Sequence, residues 1–94
     1  MAAYLIGHIT IKDPIRWKTY VDGVGKSLMP FGAEIDFRGK IARVLSGEHS
    51  YQNTVVIRFS DQQTLQGWYD SKNYQDLIPI RDMAADVVLI SYDT

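Results

Sequence analysis

Residues Tyr4 to Ile11 set the terms for the rest of the chain. Along an extended segment, successive side chains point to opposite faces. Leu5, Ile9 and Ile11 then share one face, with Gly7 between them, and Tyr4, Ile6, His8 and Thr10 share the other. Both faces are largely apolar, which marks a central strand covered on both sides. Asp86 to Tyr92 repeats the property, with Val87 and Leu89 set against Val88, Ile90 and Tyr92. A chain of 94 residues has one small core and buries only roughly 60 to 65% of its unfolded surface. Its apolar fraction of 46% is too high for disorder. Part of that apolar surface is therefore expected to meet a second copy of the chain.

Between these two strands the periodicity changes twice. Asp13-Pro14 is a helix start: Asp13 can accept from a free amide of the first turn, and Pro14 lacks an amide that would go unpaired there. Trp17, Tyr20, Val21, Val24 and Leu28 follow at helical spacing as one apolar stripe. Gly23 and Gly25 weaken its second half, and Pro30 and Gly32 end it. Ala33 to Leu45 reads as a long strand, with Ile35 and Phe37 on one face, Arg38 on the other and a bend at Gly39. Ser46 to Asn53 is a polar turn, and Thr54 to Phe59 is a third strand closing an antiparallel hairpin. Ser60-Asp61 caps a second helix carrying Leu65, Trp68 and Tyr69. Ser71 restarts a helical run through Tyr74, Leu77, Ile78 and Arg81, with a kink or break expected at Pro79.

The order is β-α-β-β-α-β. Two such halves with right-handed crossovers give an α+β, ferredoxin-like sandwich: a four-stranded antiparallel sheet with helices on one face, here one domain over residues 1–94. The other face would be apolar and bare, so a homodimer packed sheet to sheet is expected.

Charge and composition exclude several classes. The formal net charge is −1, from 10 basic and 11 acidic residues. A nucleic-acid binder would carry a basic stripe to neutralise phosphates. No apolar run approaches the roughly 20 residues that span a bilayer, and the first residues carry no basic and apolar leader, so a cytoplasmic location is expected. With no cysteine there is no disulfide or thiolate site. The two histidines, His8 and His49, have no metal-ligand spacing, and neither a metal nor another cofactor is expected.

Ala3-Tyr4-Leu5-Ile6, Asp13-Pro14, Phe37-Arg38-Gly39 and above all Trp68-Tyr69-Asp70-Ser71 with Tyr74 and Arg81 carry a family likeness. The chain resembles the domain-of-unknown-function family numbered thirteen-thirty, within the dimeric α+β-barrel superfamily. The likeness covers nearly the whole chain and departs at Phe31-Gly32-Ala33, where such proteins commonly have a Gly-Gly pair. It implies the ferredoxin-like fold and a homodimer whose sheets face each other. It implies no activity. Superfamily relatives include cofactor-free monooxygenases, isomerases and haem-degrading proteins, which by analogy raises a pocket between sheet and helices.

Several residues are candidates for such a pocket. His8 lies mid-strand and is a residue type suited to acid-base work, although a histidine on an apolar face is more often a bonded core residue. His49 sits in a polar turn. Arg38 either pairs with a surface acid or holds a carboxylate or enolate oxygen with its planar fork. Trp68 falls in a helical stripe with Leu65 and Tyr69 and reads mainly as packing, with a share in the ligand-binding set. Tyr69 and Tyr74 straddle Ser71, so their hydroxyls are expected to converge, and Arg81 lies two turns past Tyr74. Together they form an anion-binding set unless Arg81 is taken by Asp76, Asp82 or Asp86. Val21 to Ser27 ends like a phosphate-binding loop but has Tyr20 where the pattern needs glycine, and a helix before it. Arg38 to Arg43 lacks the stacking aromatics of an RNA-recognition motif. Two outcomes follow: a small-molecule pocket, anionic in taste, with cofactor-free acid-base or oxygen chemistry; or a non-catalytic metabolite-binding or structural dimer module.

Overall fold

The computed structural model describes all residues, 1–94. Strand β1 (Ala3–Ile11) leads into helix α1 (Pro14–Leu28), a short 3₁₀ turn (Met29–Phe31) and strand β2 (Glu34–Lys40). Strand β3 (Asn53–Phe59) follows, then helices α2 (Gln62–Asp70), α3 (Lys72–Gln75) and α4 (Ile78–Ala84), and strand β4 (Ala85–Asp93). The sheet is antiparallel throughout, in the order β2-β3-β1-β4. This is the expected ferredoxin-like α+β arrangement. No helix is long and apolar enough to cross a membrane.

The helix caps form as their residues predict. The Asp13 carboxylate accepts from the amides of Ile15 and Arg16, and Asp61 accepts from Thr64 at 2.7 Å. Ser71 closes α2 and opens α3, since its hydroxyl donates to the Trp68 carbonyl at 2.6 Å and accepts from the Tyr74 amide. The second helical run breaks at Asp76-Leu77, ahead of Pro79, which occupies the first turn of α4 where its missing amide costs nothing. Gly23 and Gly25 lie inside continuous α1.

The helices cover one face of the sheet. There Leu5, Ile57, Phe59, Tyr20, Leu28, Leu65, Trp68 and Tyr74 form the core. The other face carries Tyr4, Ile6, His8, Val56, Val88, Ile90 and Tyr92, in register across β3, β1 and β4. The Cα extents of 34 × 31 × 16 Å leave room for one helical layer and no more. Only 14 of 94 residues are buried, so much of the apolar sequence faces outward.

Strand β2 corrects the sequence expectation in two ways. It ends at Lys40, not Leu45, because β3 begins at Asn53 and pairs with Lys40. Past that point Ile41 finds one bond, its amide to the Gln52 carbonyl at 2.8 Å, and residues 41–50 are exposed coil. The irregularity also falls between Ile35 and Phe37, not at Gly39. Asp36 is the extra residue. It carries Phe37 onto the open face and brings Arg38 round to the helix side with Ile35, the reverse of simple alternation. Phe37 then lies over Gly39, where a Cβ would stand 2.6 Å from the ring.

Candidate functional site

A cleft of about 680 Å³ lies between α1 and the helix-side face of the sheet. Trp17, Tyr20, Val21 and Val24 of α1 form one wall. Leu5, Ile9, Val55, Ile57 and Leu89 form the floor, and Trp68 of α2 contributes a further side. The floor has its shape because Gly7 stands between Val55 and Leu89 at the centre of the sheet. A Cβ at Gly7 would meet a side-chain carbon of each at 3.0 Å.

The polar lining is one-signed. Lys18, Arg38 and Lys40 border the cleft together with Gln52, Asn53 and Thr54, and no Asp or Glu does. The three cations are exposed, so they stand where the cleft meets solvent. Elsewhere Lys12, Arg16, Arg58, Lys72 and Arg81 each have a carboxylate within 4.0 Å, while Lys26 and Arg43 have none. At the cleft only Lys18 does, 3.0 Å from Asp22. Arg38 and Lys40 have none. The sequence leaves Arg38 open between a surface ion pair and an anion-holding role; no carboxylate lies within 4.0 Å of it, and the Asp36 bulge is what turns it to this side.

Tyr69, Tyr74 and Arg81 converge as their spacing predicts, but inside the protein. Tyr74 is fully buried. Arg81 Nη1 donates to Tyr74 Oη at 3.0 Å, and Arg81 Nε donates to Asp82 at 3.1 Å. Burial works against the Arg81 cation, yet its bonds to Tyr74, Asp82 and Tyr69 outweigh it and raise its pKa. The Tyr69 and Tyr74 rings lie 5.3 Å apart, and Tyr74 and Trp68 4.3 Å. Trp68 Nε1 donates to Ser27 Oγ at 2.9 Å, and Ser27 in turn donates to the Val24 carbonyl. Of this set, Trp68 alone touches the cleft.

Tyr20, which the sequence offered only as part of the α1 stripe, connects the two regions. Its hydroxyl lies 2.9 Å from that of Tyr74, and the residue is among those that line the cleft. Burial and the adjacent Tyr74 push its pKa up, so it is a neutral phenol. The signal was legible: a tyrosine in an apolar stripe must find its hydroxyl a partner. Lys40 gave no comparable signal, because its facing depends on the bulge.

His8 stands apart. It lies on the open face, with its ring 5.2 Å from His49 and 6.3 Å from Tyr51. Its Nδ1 is buried without a hydrogen-bond partner. The sheet separates it from Arg38 and the cleft, so these two candidates for one pocket lie on opposite faces. No cluster of three metal-ligating side chains is present.

A family model described as a domain of unknown function, DUF1330, matches residues 2–93. The chain belongs to the DUF1330 family. Solved structures share the fold of this DUF1330 chain at low identity. A protein of unknown function from Rhodopseudomonas palustris superposes with a TM-score of 0.82 at 12% identity, over 99% of this chain and 82% of that one. A dimeric ferredoxin-like protein of unknown function from Jannaschia gives 0.71 at 8%, over the full length of both. SnoaB, a cofactor-independent oxygenase from Streptomyces nogalater, gives 0.71 at 4%, over 99% of this chain and 92% of its own. At such identities the likeness carries the fold alone. The sequence matches no curated protein.

Proposed function

We propose that this DUF1330 chain binds a small apolar anion in the cleft between α1 and the sheet, and that two copies pair through their open sheet faces. One observation carries the first part: the cleft is apolar inside and bordered by Lys18, Arg38 and Lys40 with no acid among its lining residues. In a chain of net charge −1, that distribution is a local field for an anion. An apolar body would bury against Trp17, Val21 and Ile9 while its carboxylate meets the Arg38 fork. The pairing is supported by the apolar open face and by the dimeric state of the Jannaschia protein. A second reading, cofactor-free oxygen chemistry on the bound molecule, draws support from the aromatic wall and from the fold shared with SnoaB.

Titration calorimetry with 2-naphthoate tests the anion site. Exchanging both Arg38 and Lys40 for Gln is expected to weaken binding about ten- to a hundredfold, the range for charge-assisted hydrogen bonds. Binding of neutral 2-methylnaphthalene should stay unchanged. Equal loss for both compounds, or no loss for naphthoate, would sink the proposal. Oxygen uptake by the protein with a bound phenolic acid checks the second reading.

A further inference from the structure

The Tyr20–Tyr74 pair beside the cleft carries one more hydroxyl proton than its own bonds use. Tyr20 and Tyr74 share one hydrogen bond, 2.9 Å between their oxygens, and Arg81 Nη1 donates to Tyr74 Oη at 3.0 Å. A guanidinium only donates, and each phenol has one proton. A single bond between the two phenols uses one of their two protons, so the other needs an acceptor elsewhere. If Tyr20 donated to Tyr74, the proton left over would belong to Tyr74. That side chain is 0% exposed and makes no further side-chain hydrogen bond, so the proton would be sealed in without an acceptor, which folded proteins avoid. If Tyr74 donates, the bonds run one way from Arg81 through Tyr74 to Tyr20. The leftover proton is then Tyr20's.

Tyr20 is where such a proton can be used. Tyr20 is among the residues lining the cleft, and its hydroxyl has no protein partner besides Tyr74. Its ring is held by Trp17 at 5.0 Å and by the edge of Tyr74 at 6.3 Å, so the hydroxyl is fixed before anything binds. Oriented donors upstream also polarise the last hydroxyl of a chain. We infer that Tyr20 donates a hydrogen bond to an oxygen of the bound molecule, and that the cleft is built for an apolar oxo acid: a carboxylate at the Arg38 and Lys40 border and a carbonyl oxygen at the inner wall. This depends on the anion cleft proposed above.

Two probes separate the parts. They are 2-naphthoate and 6-acetyl-2-naphthoate, which differ by one acceptor group away from the carboxylate. The wild-type protein should bind the keto acid about tenfold more tightly, the worth of one hydrogen bond. Tyr20→Phe should abolish that preference, bringing the two acids to equal affinity. The infrared carbonyl stretch of the bound acetyl group should shift to lower frequency in the wild type and return in Tyr20→Phe. Tyr74→Phe keeps the Tyr20 proton and should retain the carbonyl shift. Equal binding of the two acids by the wild type overturns the inference, and that comparison stands even if a variant is too unstable to use. So does a preference that survives Tyr20→Phe. If neither acid binds while neutral 2-acetylnaphthalene does, the anion reading falls, and the carbonyl shift of that ketone decides on Tyr20.

Discussion

A fully buried phenol has to settle both halves of its hydroxyl inside the protein, and Tyr74 does so between Arg81 and Tyr20. Removing that oxygen strands the Arg81 donor on one side and the Tyr20 acceptor on the other. Tyr74→Phe is therefore expected to lower stability by about 1–3 kcal/mol in urea unfolding, more than an exposed tyrosine would. Trp68→Ala should cost more, about 3–5 kcal/mol, because it empties the largest fully buried site and leaves Ser27 without its indole donor. At this scale the sequence was informative where residues lie close along the chain. Tyr69, Tyr74 and Arg81 could be brought together from helical spacing and the Ser71 restart alone. Tyr20 could not be joined to them, since its bond to Tyr74 spans 54 positions and depends on how α1 lies against α3. His8 was assigned to the correct strand, and its separation from Arg38 became visible only once the facing of β2 was known.

Caps and strands show what each element contributes. Asp13 and Asp61 accept amide bonds at helix starts; the Arg16 amide holds the Asp13 carboxyl, and the Thr64 hydroxyl and then its amide hold the Asp61 carboxyl, below the usual 3.8. A carboxyl depressed in the folded state stabilises above its unfolded pKa, and that contribution is lost as pH falls through the folded value. Thermal unfolding should therefore soften below about pH 4, and Asp13→Asn, which keeps the cap acceptor, should flatten part of that dependence. In β1 the demand comes from Gly7. Gly7→Ala would press on Val55 and Leu89, lowering stability by about 1–3 kcal/mol. Because both neighbours form the cleft floor, 2-naphthoate binding should weaken as well. The helix starts, the four strands and their order were readable from caps and alternation. The end of β2 was not, because a strand lasts only as long as its ladder partner, and β3 supplies none beyond Asn53.

For the whole molecule, one helical layer on a sheet with two apolar faces leaves one face bare, and the pairing proposed above would cover it. Phe37 is 55% exposed, Ile90 37% and Tyr92 44%, all on the bare side. Ile90→Asp should convert a dimer to a monomer in light scattering and remove the concentration dependence of the melting temperature. Its cleft should still bind 2-naphthoate, since β4 presents Ile90 to the opposite side. A wild type that is monomeric at micromolar concentration would refute the pairing. The sequence anticipated this surface because bulky residues fill both faces of the first and last strands; it did not show Phe37 as part of it. That residue comes under the same control as Arg38. One inserted position, Asp36, decides the parity of everything after it in β2. Deleting Asp36 would exchange the two side chains, sending the guanidinium into the pairing surface and the phenyl ring toward the cleft. On the proposed function, a single codon lost there is expected to disable anion binding and self-association together, whereas substitutions at either residue are expected to disable only one.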